Sequence, residues 1–392
     1  MKSMVKKFHQ KTKVLICMSG GVDSSVAAAL LLRQGYDVTG AFMVNYDSGR
    51  APVGDSNCWL PEYRDALRVA AHLGIPLLKL DFTKEYSEKV LKYMFREYKK
   101  GRTPNPDVLC NTFIKFGVWL DWAKRHGFEK LATGHYARLG REIRNPKHEI
   151  RNKSQIQNPK FELVQAKDKN KDQTYFLHQL NQEQLSHVLF PIGEFTKPQV
   201  RSLARRFGLP TANKEESMGI CFVGEVPMKE FLGTKIKTKM GRMVTTRGEV
   251  IGKHDGLAFY TIGQRHLKIS NDKIQMSNQI QNPSVQTRPL FVVGKNVKKN
   301  ELIVGYEDDP ALHKKEIIVT DVHWVGGQAP KFPLHCEVRL RHRQALQKAI
   351  IKCQMSGVKC QVSLDTPQRA PTPGQFAVFY KEEKCLGGGV IR

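Results

Sequence analysis

The first two hundred residues alternate between two apolar patterns. Short unbroken runs at 14–18, 37–44, 77–82 and 130–133 read as buried strands. Between them, apolar residues recur at helical spacing. Val26, Ala27, Ala28, Leu30 and Leu31 open one helix. Ala66, Leu67, Ala70 and Ala71 mark a second over 63–73, stopped by Gly74-Ile75-Pro76. Further amphipathic stretches cover 86–99 and 112–126, the latter ended by Gly127. This alternation predicts an α/β fold with a doubly wound parallel sheet, whose ligands sit outside the carboxyl ends of the strands. Two more helical segments lie between Gln182 and Gly208, separated at 191–198. After Pro210 the pattern changes. Residues 240–250 and 257–262 look strand-like, and from Pro289 onward seven short Val/Ile/Phe-bearing runs (290–293, 302–305, 317–322, 337–340, 349–353, 361–364, 377–380) are separated by turn signals. They predict a small β-barrel. The expected organisation is a catalytic domain over 1–209, a central domain over 210–287 and a terminal barrel over 288–392. Two Asn/Gln-rich stretches, 141–160 and 270–287, resemble each other and read as exposed insertions.

The stretch Ser19-Gly20-Gly21-Val22-Asp23-Ser24-Ser25 joins the first strand to the first helix. Two glycines allow a tight turn and close approach of a ligand, and the N–H groups of a helix start attract phosphate. Asp23 is placed either to cap the helix or to help hold a magnesium ion on phosphates. No G-x-x-x-x-G-K-[ST] loop occurs: Gly294-Lys295 is followed by Asn296. The heptapeptide instead resembles the signature of the PP-loop ATP pyrophosphatases, which cleave ATP between its α and β phosphates and adenylate a substrate oxygen.

A formal net charge of +26 points to a polyanionic partner, most simply nucleic acid. No apolar run approaches a membrane span, and the basic stretch 1–13 lacks the apolar core of a signal peptide, so a cytoplasmic protein is expected. Eight cysteines without a C-x-x-C pair read as thiols rather than a disulfide framework. Cys110 follows the stiff Pro104-Asn105-Pro106-Asp107 stretch, just before a predicted helix and near Lys99, Lys100, Arg102 and Lys115, a setting that favours thiolate. Its residues alone leave a reactive and a structural role open. So do those around Cys221, which sits between Ile220 and Phe222 like a small buried hydrophobe.

Taken in order, the motifs resemble the tRNA-specific 2-thiouridylases. The matching pieces are 18–25, 103–111, 132–138, 171–177, 219–222, 260–265 and 373–375. The resemblance implies that Met18, Ser19, Gly20, Gly21, Val22, Asp23, Ser24 and Ser25 hold ATP phosphates, with Met43 and Gly134 at the adenosine. Asn105, Pro106 and Asp107 would meet the target base, with Asp107 handling its proton. Cys110 would be the nucleophile and Cys221 the persulfide carrier, the two closing a disulfide during turnover. His135, Lys171, Asp172, Gln173, Arg341, His342 and Gln375 would contact tRNA, gripped at its anticodon arm. ATP, Mg2+ and a persulfide-donating partner (a cysteine desulfurase or sulfur relay) complete the expected set. Departures exist: Arg341-His342 stands where the family more often has Arg-Tyr, and His266-Leu267-Lys268 replaces a glycine-rich run. Within the resemblance two sulfur routes stay open: the Cys221 persulfide attacks the base directly, or Cys110 first releases hydrosulfide from it and that species attacks. Competing readings are a PP-loop ligase or amidotransferase acting on a small metabolite, an inert tRNA-binding module, and an iron–sulfur cluster held by Cys110, Cys221 and Asp107 or Cys58.

Overall fold

The computed structural model describes residues 11–46, 59–141, 160–215, 228–265, 267, 288–354 and 358–392. Cys58, Cys221, His266 and nearly all of both Asn/Gln-rich stretches lie outside these residues. Strands β1 (Lys13–Cys17), β2 (Asp37–Val44), β3 (Leu77–Asp81) and β4 (Lys130–Ala132) form a parallel sheet. A hairpin of β5 (Ala137–Arg141) and β6 (Phe161–Gln165) follows, and β7 (Val188–Leu189) completes the first sheet in the order β3-β2-β1-β4-β7. The direction of winding reverses between β1 and β4. That is the switch point of a doubly wound sheet, where two neighbouring loops part and leave a crevice. The glycine turn follows β1 and Gly134 follows β4, so both open onto it.

Helix α1 (Val22–Arg33) packs on one face, burying Val22, Val26, Ala27, Ala28 and Leu31; helix α2 (Leu60–Leu73) lies beside it. The other face is covered by a helical run over 83–99, with a π-turn at Ser87–Leu91, and by a second run over 106–125. That second run starts earlier than the sequence predicts. Asn105 caps it by accepting from Val108 N at 3.3 Å, and Pro106 occupies the first turn, where a missing N–H costs nothing. Cys110 is therefore inside the helix, at the start of its π-helical part Cys110–Trp119, and not ahead of it.

The central four-stranded sheet contains β8 (Gly241–Thr245), β9 (Val250–His254), β10 (Phe291–Asn296) and β11 (Glu301–Gly305), in the order β10-β11-β8-β9. Two expectations change here. Residues 257–259 form a single 3-10 turn, not a strand. The runs at 291–296 and 301–305, grouped with the barrel by their pattern, pair with each other, and 301–305 joins them to β8 instead. The barrel itself is closed by six strands: β12 (His313–Trp324), β13 (Leu334–Arg339), β14 (Gln347–Cys353), β15 (Cys360–Arg369), β16 (Phe376–Lys381) and β17 (Lys384–Ile391), with β12 pairing both β15 and β17. The hairpin β5–β6 adds to its outside through β6 and β17. Cys353 and Cys360, opposite each other on β14 and β15 with Cα atoms 4.0 Å apart, form a disulfide. This corrects the reading of all eight cysteines as thiols; the bond is a local clip within one strand pair. Among the described residues, no helix is long and apolar enough to cross a membrane.

Candidate active site

The glycine turn is held from within and from outside. Ser24 and Ser25 hydroxyls both donate to the Gly21 carbonyl, at 3.1 and 2.7 Å, and Ser19 N donates to Ser24 Oγ at 3.2 Å. Gly20 adopts φ +71°, and a Cβ there would stand 2.2 Å from the Glu62 carbonyl oxygen on α2. A Cβ on Gly134 would meet Ser24 N at 2.7 Å and Asp23 C at 2.8 Å. Glycine is thus required at both positions to let the β4 loop and α2 close on the turn.

Asp23 does not cap its helix. Gly21 is the N-cap residue and no side chain bonds there. The Asp23 carboxylate instead takes both oxygens to Lys197 Nζ, each at 2.8 Å, and accepts from the Tyr136 hydroxyl at 2.9 Å. Lys197 opens the helix Lys197–Arg206 behind a Thr196/Gln199 capping box, and its N–H donates to Asp168. A second lysine, Lys214, donates to the Gly20 carbonyl at 3.2 Å and to Asp65 at 2.6 Å. Two ammonium groups therefore flank a phosphate-sized turn. A carboxylate beside phosphates is the donor set a magnesium ion uses when substrate supplies its remaining ligands. Met43 lies buried near the end of β2. Two residues on, Asn45 is 2 % exposed, and among the described residues neither its amide nitrogen nor its oxygen has a hydrogen-bond partner.

A second cavity, of about 470 Å3, lies across the junction of the three domains. Asn105 and Asp107 line it from the first domain, Thr261 to Gln264 from the central domain, and Arg341, His342 and Gln375 from the barrel. Gln375 ties the Pro-Asn-Pro segment to the barrel. Its amide nitrogen donates to the Thr103 carbonyl at 2.8 Å, and its oxygen accepts from Asn105 at 3.3 Å. Phe176 also lines the cavity, its ring 4.4 Å from that of His342. Burial, followed by the nearby Arg343, Arg339 and Lys171 charges, pushes His342 down to about 4, so it is neutral at physiological pH. Cys110 lies one helical turn beyond Asp107, 1 % exposed, in the same apolar cluster as Cys17 and Met43. Burial raises the neighbouring Cys17 thiol to about 12, which keeps it protonated and inert.

Other residues expected to contact RNA turn inward. His135 is buried, its ring 5.9 Å from Phe116 and its Nδ1 2.7 Å from the Thr133 hydroxyl. Burial, with the Lys115 charge second, drives its pKa well below 6.5. Asp172 is 1 % exposed and bound by Arg339 Nη1 at 3.0 Å, Thr174 Oγ1 at 2.8 Å and Ala166 N at 3.1 Å. Gln173 accepts from Tyr136 N at 2.9 Å. Lys171 is half-buried. The sequence reading missed Lys197, Lys214, Asn45 and Phe176 as candidates. Only the Thr196 capping box gave a local signal, and that signal marked a helix start.

A switch-point glycine turn with a serine-lined, lysine-flanked mouth defines a nucleotide-binding domain of the PP-loop class. The tRNA methyl transferase HUP domain family matches residues 12–225, its PRC-barrel domain 229–306, and the aminomethyltransferase β-barrel domain 314–391. Over almost its whole length the chain is similar to proteins named tRNA-specific 2-thiouridylase MnmA. It is 44 % identical to that of Levilactobacillus brevis over 98 % of this chain and 96 % of the relative. The Streptococcus mutans protein gives the same identity and coverage. That of Geobacillus thermodenitrificans is 44 % identical over 99 % of this chain and 96 % of its own. The chain belongs to the tRNA-specific 2-thiouridylase family.

Proposed function

We propose that this chain replaces the C2 oxygen of the wobble uridine of tRNA with sulfur at the expense of ATP. The observation that carries the reading is the three-domain cavity, where Asn105, Asp107, Arg341, His342 and Gln375 converge, with Asp107 one helical turn before Cys110. A uridine C2 oxygen is a poor leaving group. ATP bound along Met18 to Ser25, with Met43 and Gly134 at the adenosine, supplies an α-phosphate for that oxygen to attack, and pyrophosphate departs. Lys197 and Lys214 are suited to hold the departing charge, and Asp23 to share a magnesium ion with the phosphates. Asp107 handles the base proton.

The terminal sulfur of a Cys221 persulfide then attacks C2, and AMP leaves with the oxygen. The Cys110 thiolate attacks the Cys221 sulfur of the Cys221–S–S–C2 linkage. A Cys110–Cys221 disulfide forms, and both electrons of the broken S–S bond stay on the C2 sulfur as 2-thiouridine. A thiol reductant and a persulfide-donating partner reset the pair. The uridine must leave its stack to enter the cavity. The basic charge fits binding to the anticodon arm of tRNA in the cytoplasm.

The test incubates the protein with ATP, a sulfur source and unmodified tRNA, and measures 2-thiouridine by mass spectrometry. Cys110→Ser and Cys221→Ser are each expected to abolish product while retaining ATP binding. Thiolation at the wild-type rate in either variant would overturn the assignment. Visible absorbance in anaerobically purified protein, lost with either cysteine, would move sulfur delivery to an iron–sulfur cluster.

A further inference from the structure

A cavity of about 350 Å3 lies behind the candidate base pocket, and the two share Ile262 and Thr372 as a common wall. A hydrogen bond between the Thr103 and Thr261 hydroxyls, 3.2 Å long, braces the partition. All three domains contribute. Lys100, Arg102 and Thr103 come from the first, Lys295 from β10, and Lys314 from β12. Four cationic side chains line the space, and no Asp or Glu is among its lining residues. Glu97, just outside, pairs with Arg102 at 2.8 Å and with Lys100 at 3.3 Å, leaving the group with an excess of positive charge.

Lys295 is the informative member. Its Nζ donates to the Gly101 carbonyl at 2.9 Å, across the boundary between domains. Gly101 turns there with φ +75°, and a Cβ would stand 2.9 Å from Val297. Desolvation lowers Lys295 to about 8. Holding an ammonium where burial opposes its charge is costly, and an anion in the adjoining space removes that cost. The cavity is at the small end of the range for ligand sites, and its chemistry is that of a phosphate receptor.

We propose that this cavity receives a backbone phosphodiester of the tRNA substrate, next to the nucleotide whose base enters the Asn105–Asp107–Gln375 pocket. The inference rests on the tRNA reading above. A phosphate held by Lys295, Arg102 and Lys314 would engage all three domains at once and fix the register of the strand before chemistry. Phosphate contacts position a nucleic acid without reading its sequence.

The experiment measures tRNA affinity across a salt series for full-length wild type, Lys295→Met and Lys314→Gln. Methionine suits the half-buried Lys295 site, and Lys314 is exposed, so both variants should fold. In each variant the slope of log K against log salt should become shallower by about 0.7–0.9, with several-fold weaker binding at low salt and unchanged ATP binding. Slopes and affinities equal to wild type overturn the site while leaving the thiolation reading intact. If wild type fails to bind tRNA at all, the functional reading falls and this one with it. Inorganic phosphate is titrated into tRNA-free protein by calorimetry as the control. Heat seen with wild type but not with the variants, alongside an unchanged tRNA slope, would assign the cavity to a free anion and refute the proposal.

Discussion

Arg339→Leu is the most demanding test of how the first domain is joined to the barrel. Arg339 ends β13 and is 6 % exposed; its Nη1 meets Asp172 at 3.0 Å. Leucine would leave the Asp172 carboxylate buried without its counter-charge. Removing one partner of a buried pair typically costs about 3–5 kcal/mol. Asp172 would keep its bonds from Ala166 N and Thr174 Oγ1, which places the expected loss near the low end, at about 3 kcal/mol. Amide hydrogen exchange read by mass spectrometry suits a multidomain chain better than a global denaturation curve. Peptides covering 161–180 and β13 should exchange roughly a hundredfold faster. The double replacement Asp172→Leu/Arg339→Leu removes both charges and should recover much of the protection. Exchange within about threefold of wild type in Arg339→Leu, or strictly additive effects in the double variant, would refute the reasoning. The same variants address Asp172 in RNA binding. Asp172→Asn leaves Arg339 without its counter-charge and should lose protection too; if the carboxylate also contacts tRNA directly, this variant should bind tRNA more weakly than Arg339→Leu does.

Three further outcomes follow from the geometry. Asn45→Leu should stabilise the nucleotide-free protein by about 1–3 kcal/mol, because it removes a buried amide that has no partner among the described residues, yet weaken ATP binding; unchanged ATP affinity would remove Asn45 from the nucleotide site. Gly134→Ala forces a methyl to within 2.7 Å of Ser24 N and should cost about 1–3 kcal/mol along with ATP binding, checked by thermal shift with and without ATP. His178 is fully buried, and burial lowers it from 6.5 to about 3. The unfolded chain therefore binds the extra proton first, so stability is retained above pH 6.5 and lost as pH falls towards 3. The loss is on the order of 4 kcal/mol, and a His178→Leu variant should show a flatter acid limb between those values.

What could be read from the sequence was what is local in the chain. The glycine turn, its flanking strand and helix, and the Pro-Asn-Pro segment are each specified within about ten residues by backbone geometry and periodicity. The parallel sheet followed from them, and with it the crevice. The partners of those segments were hidden because they come from far along the chain: Lys197 reaches Asp23 across 174 positions, and Gln375 reaches Thr103 across 272. Pattern also failed where one apolar run suits two structures. Residues 291–296 and 301–305 have the same alternation as barrel strands, and only the pairing of 301–305 with β8 separates them from the barrel. Leu257 to Phe259 looked extended, but Gly256 at φ +141° turns the chain into a 3-10 coil. Asp172 stood in a polar segment that suggests a surface, until Arg339 and Thr174 gave its carboxylate a buried setting.

The hairpin of β5 and β6 has a consequence for how the chain is made. Strand β6 finds its neighbour in β17, where Val164 lies opposite Lys384 and Leu163 opposite Cys385, some 220 positions further along the chain. At about 5–20 residues per second, the hairpin leaves the ribosome with a bare edge for roughly 10–40 s before its partner strand exists. During that interval the nascent first domain offers an unpaired strand to any other chain nearby.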